Sequence, residues 1–277
     1  VSEAASFRRN RSTASPAPRR MPAGGNRWRV LWGLAVTGAL LLGGLLVVQG
    51  SWLKITRIHV HADFDMSREE VLHQAGITGG MNYFLLRPAE VVARLKRNPL
   101  IREARAEKIF PNALRLDLVR RRPLVLTIFS RGDRDVLAAV DREGVIFDAG
   151  QHLGGANLPV FSGITFQGVP VGSRMPRMLE QLLEDLHRLR LEEPKLFERI
   201  SELRVVPRNN GGVDILLFTA DYRIPVRIGD RISPELCRWI LVVLDILSQQ
   251  ETADQVAEVD FRSGEVVYRM KEGARGR

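Results

Sequence analysis

Leu114-Arg115-Leu116-Asp117-Leu118-Val119 places a leucine at every second position, with Arg115, Asp117 and Val119 between them. Successive side chains of a strand point to opposite faces, so this alternation predicts a strand with one buried face. Phe110-Pro111-Asn112 just before it predicts a tight connection from a preceding strand. Further upstream, Ile55 to Val60 predicts another strand, with Ile58 and Val60 on one face and His59 and His61 on the other. Between these strands two helices are expected. Ser67 stands where it can cap the first, with Glu70 at the capping-box position, and Gly76 ends it. Gly79 to Phe84 reads as a turn, Pro88 fits the first position of the second helix, and Val91, Val92 and Leu95 follow before Pro99 stops it. The resulting order, β-α-α-β-β, predicts two helices covering one face of a three-stranded sheet.

Upstream of this unit lies Val30 to Val48, VLWGLAVTGALLLGGLLVV, which holds no charge. A bilayer core about 30 Å thick needs roughly 20 apolar helical residues, so the stretch predicts a single membrane span. A cleavable signal peptide has a shorter apolar core of about 7 to 15 residues and an A-x-A site. Val47-Val48-Gln49-Gly50-Ser51-Trp52 offers no such site. Arg19, Arg20, Arg27 and Arg29 precede the span and only Lys54 and Arg57 follow it closely, so the N-terminus is expected in the cytoplasm. Trp28 and Trp32 would mark the inner interface and Trp52 the outer one. Ala35, Ala39 and Gly43 recur every fourth residue, which would let a second helix approach, although small residues are common in membrane helices anyway.

The charge fits this topology. The 277-residue chain carries a formal +9, and residues 1–29 hold seven Arg and one Glu, so subtracting that +6 leaves +3 for the remainder. A basic tail beside a bilayer is explained by topology and anionic lipid, and a nucleic-acid partner is not expected. An acidic cytoplasmic partner for the tail stays open. Residues 1–29 are rich in Ser, Ala, Pro, Arg and Gly and are expected to be disordered. A single cysteine, Cys237, excludes an intramolecular disulfide, and its neighbours Trp239, Ile240 and Leu241 predict a buried thiol in a helix.

Beyond Pro123 the pattern is mostly strands. Leu124 to Phe129, Val136 to Val140, Glu202 to Val206, Val213 to Phe218, Arg223 to Ile228, Val256 to Phe261 and Glu265 to Met270 each read as one. Val140-Asp141-Arg142-Glu143-Gly144-Val145-Ile146-Phe147 reads as strand, tight turn, strand, with Gly144 supplying a positive φ. Met178, Leu179, Leu182, Leu186 and Leu189 predict one helix, and Ser233-Pro234 opens a second.

Taken together, Gly76-Ile77, Gly80-Met81-Asn82-Tyr83-Phe84, Asn98-Pro99-Leu100-Ile101 and Phe110-Pro111-Asn112-Ala113-Leu114 resemble a POTRA domain. The Val140 to Phe147 hairpin and Leu158-Pro159-Val160-Phe161-Ser162-Gly163 extend the resemblance to the FtsQ family, also called DivIB, over roughly residues 27–270. The resemblance implies an α+β protein: a disordered cytoplasmic tail (1–29), a transmembrane helix (30–50), a POTRA domain (54–122), a mostly antiparallel β domain with two helices (123–271) and a short tail (272–277). It also implies a non-enzymatic scaffold of the bacterial divisome in the inner membrane, with its C-terminal domains in the periplasm at the septum. Its partners would be septal membrane proteins of the FtsB and FtsL type, with other divisome proteins reaching the POTRA domain and the membrane helix. The family binds FtsB through its C-terminal strands, which carries over here to Arg262, Ser263, Gly264, Val266, Val267 and Tyr268. An edge strand that merely completes its sheet is the plainer reading of the same residues. On the docking reading, Val267→Pro is expected to remove a backbone donor and weaken partner binding.

Residues with catalytic potential form no recognised constellation. His59, His61, His73, His152 and His187 sit in no nucleophile or zinc-protease motif, and His59 and His61 with Asp63 and Asp65 fall short of the ligand set structural zinc takes. Gly79-Gly80 and Gly154-Gly155 lack the Lys and Ser/Thr of a phosphate loop and read as turns. No cofactor or metal is expected. Arg120-Arg121-Arg122 is expected to be solvated, with a docking surface for an acidic partner as the alternative. A membrane-tethered extracytoplasmic enzyme or ligand-binding protein remains the alternative function, to be recognised by a convergent polar cluster in a concave pocket. An outer-membrane assembly subunit is disfavoured because no barrel strands follow.

Overall fold

The computed structural model describes residues 25–49, 53–131, 134–164, 171–209, 211–250 and 253–271. Of the stretch 1–29 expected to be disordered, residues 1–24 lie outside the described residues, as do the tail 272–277 and the interfacial placement of Trp52. Residues 25–29 are helical, which corrects the expectation there, because the helix extends upstream of the apolar stretch. Contacts divide the chain into two units, Val1–Leu53 and Lys54–Arg277.

In the first unit a single helix, α1, runs Gly25–Gln49. Its described side chains, Trp28 to Gly44, are all exposed, including those of Ala35 and Ala39. Among the described residues no helix is long and apolar enough to cross a membrane. The charge-free stretch itself continues to Val48, beyond the last described side chain.

The second unit opens with β1 (Arg57–Ala62), α2 (Arg68–Ala75), α3 (Pro88–Leu95), β2 (Ile101–Ile109) and β3 (Ala113–Arg120), in the expected order. The sheet order is β1-β3-β2, with β1 parallel and β2 antiparallel to the central β3. Leu114, Leu116 and Leu118 point from β3 into a core with Ile55, Val71, Leu95 and Ile101. Ser67 Oγ accepts the Glu70 N–H at 3.1 Å, the cap the sequence predicts. The Glu70 carboxylate accepts from Gln74 at 3.3 Å. Gly76 ends α2 at φ 66°, where its N–H bonds back to His73 and Leu72, and a side chain there would be strained.

Among the described residues the remaining strands form one nine-stranded sheet: β12-β11-β10-β9-β8-β7-β4-β5-β6. They are β4 (Val125–Arg131), β5 (Arg134–Val140), β6 (Ile146–Ala149), β7 (Val160–Ser162), β8 (Ile200–Pro207), β9 (Val213–Thr219), β10 (Val226–Ile228), β11 (Val256–Asp260) and β12 (Val267–Met270). The sheet is mixed: five of its eight pairings are antiparallel, as expected for most of it, whereas β4 with β7, β7 with β8 and β10 with β11 are parallel. Parallel neighbours need a crossover, and helices supply two of them. α4 (Glu180–Glu192) and α5 (Pro194–Glu198) lie between β7 and β8, and α6 (Pro234–Ser248) lies between β10 and β11. Five-residue α5 is a third helix that the sequence reading lacks, because one turn and a half leaves no periodic stripe to find.

Leu182, Leu183, Leu186 and Leu189 bury one face of α4, whereas Met178 is exposed. The expectation of a buried Met178 fails because Arg177–Leu179 is a 3-10 turn, whose tighter winding takes that residue off the helical stripe. α6 is capped by Ser233, whose Oγ accepts the Leu236 N–H at 3.2 Å, and Cys237 is buried on its inner face.

The arginine run joins the two sheets. Arg121 Nη1 is paired with Asp141 in the turn after β5 and lies 3.2 Å from Glu143, while Arg102 Nε on β2 donates to Glu143 at 3.1 Å. Asp141 also accepts the N–H groups of Glu143 and Val145 at 2.9 and 2.8 Å. The Arg121 side chain is only 14 % exposed, so the solvated reading is wrong for this residue: a buried carboxylate on the neighbouring sheet captures it.

Candidate functional site

The C-terminal strands are organised around charge pairs. α6 returns the chain so that β11 runs parallel to β10, with Val226 beside Val259 and Arg227 beside Asp260. Phe261-Arg262-Ser263-Gly264 then turns, with Gly264 at φ 79°, and β12 folds back antiparallel. On one face Asp214 of β9, 5 % exposed, is paired with Arg208, with Arg227 at 3.4 Å and with Arg262 at 2.8 Å. Arg227 reaches Glu258 at 2.5 Å, and Glu258 also holds Arg269 at 3.1 Å. Arg262 closes on Asp260 at 2.6 Å. One connected lattice of charges therefore spans β9, β10, β11 and β12.

These pairs set the ionisation of their members. The Arg227 hydrogen bond, the largest influence, holds the Glu258 carboxyl below its ordinary range against desolvation. The Arg262 hydrogen bond does the same for Asp260, and in turn Asp260 raises the Arg262 guanidinium. Carboxyls depressed in the folded state contribute stability above their unfolded pKa of about 4, and lose it as pH falls through the folded value. Thermal unfolding should therefore be flat from about pH 7 to 5 and fall below about pH 4. Glu258→Gln should reduce that acid-side fall; a parent and variant with the same acid limb would exclude the pair as its source.

Among the described residues β12 is the last strand of its sheet. Val267 and Tyr268, which point to opposite faces, are each 56 % exposed, while Met270 further along packs partly against the core. Val266 packs partly against the core, Arg262 is held by its two aspartates, and Ser263 and Gly264 are exposed in the turn. The structure thus gathers all six sequence-derived residues onto one turn and one free edge.

Backbone direction corrects one expectation. Val259 and Phe261 N–H groups donate to Pro225 and Arg227 of the β10 segment, so Glu258 and Asp260 face β12. Asp260 pairs with Val267 and Glu258 with Arg269, while Lys271 N–H reaches Gln255 at 2.7 Å. By alternation Val267 and Arg269 bond inward, and the backbone groups of Tyr268 and Met270 face the open side. Val267→Pro would break the β11–β12 ladder itself; Tyr268 carries the outward donor.

Elsewhere, a cleft of about 430 Å³ between the two sheets is lined by Arg102, Arg120, Arg122, Arg142, Arg190 and His187, among others. His187 lies 3.3 Å from Arg142, and desolvation followed by that neighbouring charge lowers its pKa. His59 and His61 are exposed on β1, and His152 pairs with Asp148 at 3.2 Å. Among the described residues no three His, Cys, Asp or Glu side chains are grouped as a metal site would require. Burial pushes the Cys237 thiol up to about 12.

Asp214, Arg208, Arg227 and Glu258 escape a reading of the sequence. Asp214 and Arg262 are 48 residues apart, and nothing local marks either as the other's partner.

The chain is similar to known proteins. The family model for the POTRA domain, FtsQ-type, matches residues 53–121, the segment that forms the β1-β3-β2 sheet and its helices. The cell division protein FtsQ of Syntrophotalea carbinolica is 29 % identical over 280 residues, covering 88 % of this chain and 95 % of its own. That of Geotalea daltonii is 24 % identical over 250 residues, covering 87 % and 86 %. The similarity therefore runs well past the POTRA segment and into the nine-stranded sheet.

Proposed function

Because the chain is an FtsQ-family protein, we propose that it is a non-enzymatic, bitopic scaffold of the bacterial divisome. Residues 30–50 anchor it in the inner membrane, the N-terminal tail is cytoplasmic, and a POTRA domain (54–122) and a β domain (123–271) stand in the periplasm at the septum. It links earlier and later septal proteins, with FtsB- and FtsL-type partners at the C-terminal edge. The apolar, charge-free stretch with its arginine-rich upstream flank supports the anchor and its orientation.

One observation carries the docking role: among the described residues β12 ends its sheet with Val267 and Tyr268 exposed and the backbone of Tyr268 and Met270 turned outward. Such an edge accepts a strand from another chain, main-chain hydrogen bonds giving affinity and exposed side chains giving selectivity. Arg262, Ser263 and Gly264 flank the point where an added strand would begin or end, and Val266, Val267 and Tyr268 supply the side chains. Tyr268→Pro deletes an outward donor and fills its place with a ring while sparing the bonds to β11. Binding of the FtsB-type partner should weaken by about tenfold or more, roughly 1.4 kcal/mol, with thermal stability nearly unchanged. A variant that binds as the parent does would end the strand-addition mechanism.

The cellular role has its own test. Depleting the protein in its host should give filaments that segregate nucleoids and fail to septate. Normal septation under depletion would overturn the division reading.

A further inference from the structure

At one end of the β1-β3-β2 sheet the chain leaves a set of apolar side chains without cover. Phe84, Leu85 and Phe110 are 55, 74 and 70 % exposed, and Ile109 is partly exposed beside them. They are held rigidly. Tyr83 packs edge-on against Phe84 at 5.5 Å and against Phe110 at 5.9 Å. Asn82 Oδ1 accepts the Phe84 N–H at 2.9 Å, and Lys108 Nζ lies 4.9 Å from the Tyr83 ring while donating to the carbonyls of Tyr83 and Leu86. Basic side chains rim the group. Lys54 and Arg57 are exposed, Arg57 donating to Asn112 Oδ1 at 3.0 Å, and Lys108 lies over the Tyr83 ring.

The start of the unit is tied to the same loop. Lys54 bridges to Asn82 and the Ile55 N–H donates to Met81 at 2.8 Å. Only residues 50–53 lie between the end of α1 at Gln49 and Lys54. At about 3.3–3.6 Å per residue, the five steps from Gln49 to Lys54 reach under about 18 Å, less than half the roughly 40–45 Å thickness of a bilayer with its headgroups. Chain connectivity therefore limits the distance from Gln49 to Lys54, the residue bridged to Asn82 of the aromatic loop.

We propose that Phe84, Leu85, Ile109 and Phe110 form a membrane-surface contact that inserts into the anionic headgroup layer next to the anchor, with Lys54, Arg57 and Lys108 meeting lipid phosphates. This rests on the reading of residues 30–50 as a span. The chemistry fits a lipid surface: apolar and aromatic tips at the acyl boundary, and cations at headgroup depth. A protein partner fits less well, since four projecting side chains fall far short of the roughly 800 Å² per partner of a stable interface. The contact would fix the tilt of the first sheet relative to the bilayer, and with it the height at which the rest of the unit meets its partners.

The test uses the full chain in nanodiscs of phosphatidylethanolamine and phosphatidylglycerol, spin-labelled one site at a time at Leu85→Cys, Phe110→Cys, Leu40→Cys and Glu184→Cys. Native Cys237 is buried and burial pushes its thiol up to about 12, which disfavours labelling, and the labelled parent chain measures any residue of signal. Collision with oxygen should exceed collision with a water-soluble nickel chelate at Leu85 and Phe110, as at Leu40, and the ratio should reverse at exposed Glu184 on α4. A nickel-favoured ratio at Leu85 and Phe110 with an oxygen-favoured one at Leu40 overturns the contact and leaves the span standing. Low collision with both reagents at Leu85 and Phe110 means that protein covers the patch, and overturns it as well. A nickel-favoured ratio at Leu40 removes the span, and the contact falls with it.

Discussion

Leu116→Asp is expected to abolish cooperative folding of the β1-β3-β2 sheet. Leu116 is fully buried on the central strand, beside Val60 on β1 and Ala106 on β2, so no shift of one neighbour can bring water to a carboxylate there. Removing a buried leucine costs about 2–5 kcal/mol, and an unpaired carboxyl in its place adds several more. That sum approaches the roughly 5–15 kcal/mol that holds a whole domain. Arg115→Gln, one residue away on the exposed face, should stay within about 0.5 kcal/mol of the parent. Circular dichroism melts of the two variants decide the matter, and an unchanged melt for Leu116→Asp would mean that the register of β3 is wrong.

Asp141→Ala should be the second large effect, and it acts between the sheets. The Asp141 side chain is 2 % exposed and accepts from Arg121, a guanidinium from the segment after β3, as well as from two backbone N–H groups of its own turn. Removing it leaves a largely buried cation with only the part-exposed Glu143 and leaves two donors without their acceptor, a combination that costs about 3 kcal/mol. The turn holding Gly144 at positive φ loses its brace at the same time. Glu143→Gln should cost less than about 1 kcal/mol, because its side chain is more than a third exposed and water screens the pair. Denaturant unfolding, with limited proteolysis around Arg122 as a probe of the connection, separates these outcomes. If Asp141→Ala unfolds at the parent's midpoint, the ion pair is not what fastens the sheets together.

The first sheet and its helices were legible because each signal is local. The Ser67 cap, the Gly76 stop and Pro88 at a helix start act over three or four residues, and the Leu114, Leu116, Leu118 alternation needs only the strand's own pleat. The same holds for the turn at Gly144 and the cap at Ser233. Local winding already limits this. Met178 continues a leucine stripe on paper, yet a 3-10 turn places it in solvent.

What lay beyond the sequence is whatever depends on which strand sits beside which. A carboxylate such as Asp214 attracts any arginine within reach; the β8–β9 hairpin brings Arg208, but only the order β12-β11-β10-β9 brings Arg227 and Arg262 to it. Likewise Arg121 belongs to a run of three that looks solvated until the second sheet presents Asp141. The C-terminal edge shows both limits at once. Its six residues could be named from the chain, but whether Val267 or Tyr268 offers its N–H outward depends on the pairing of Asp260 with Val267, since a shift of one residue exchanges the two sides of a strand.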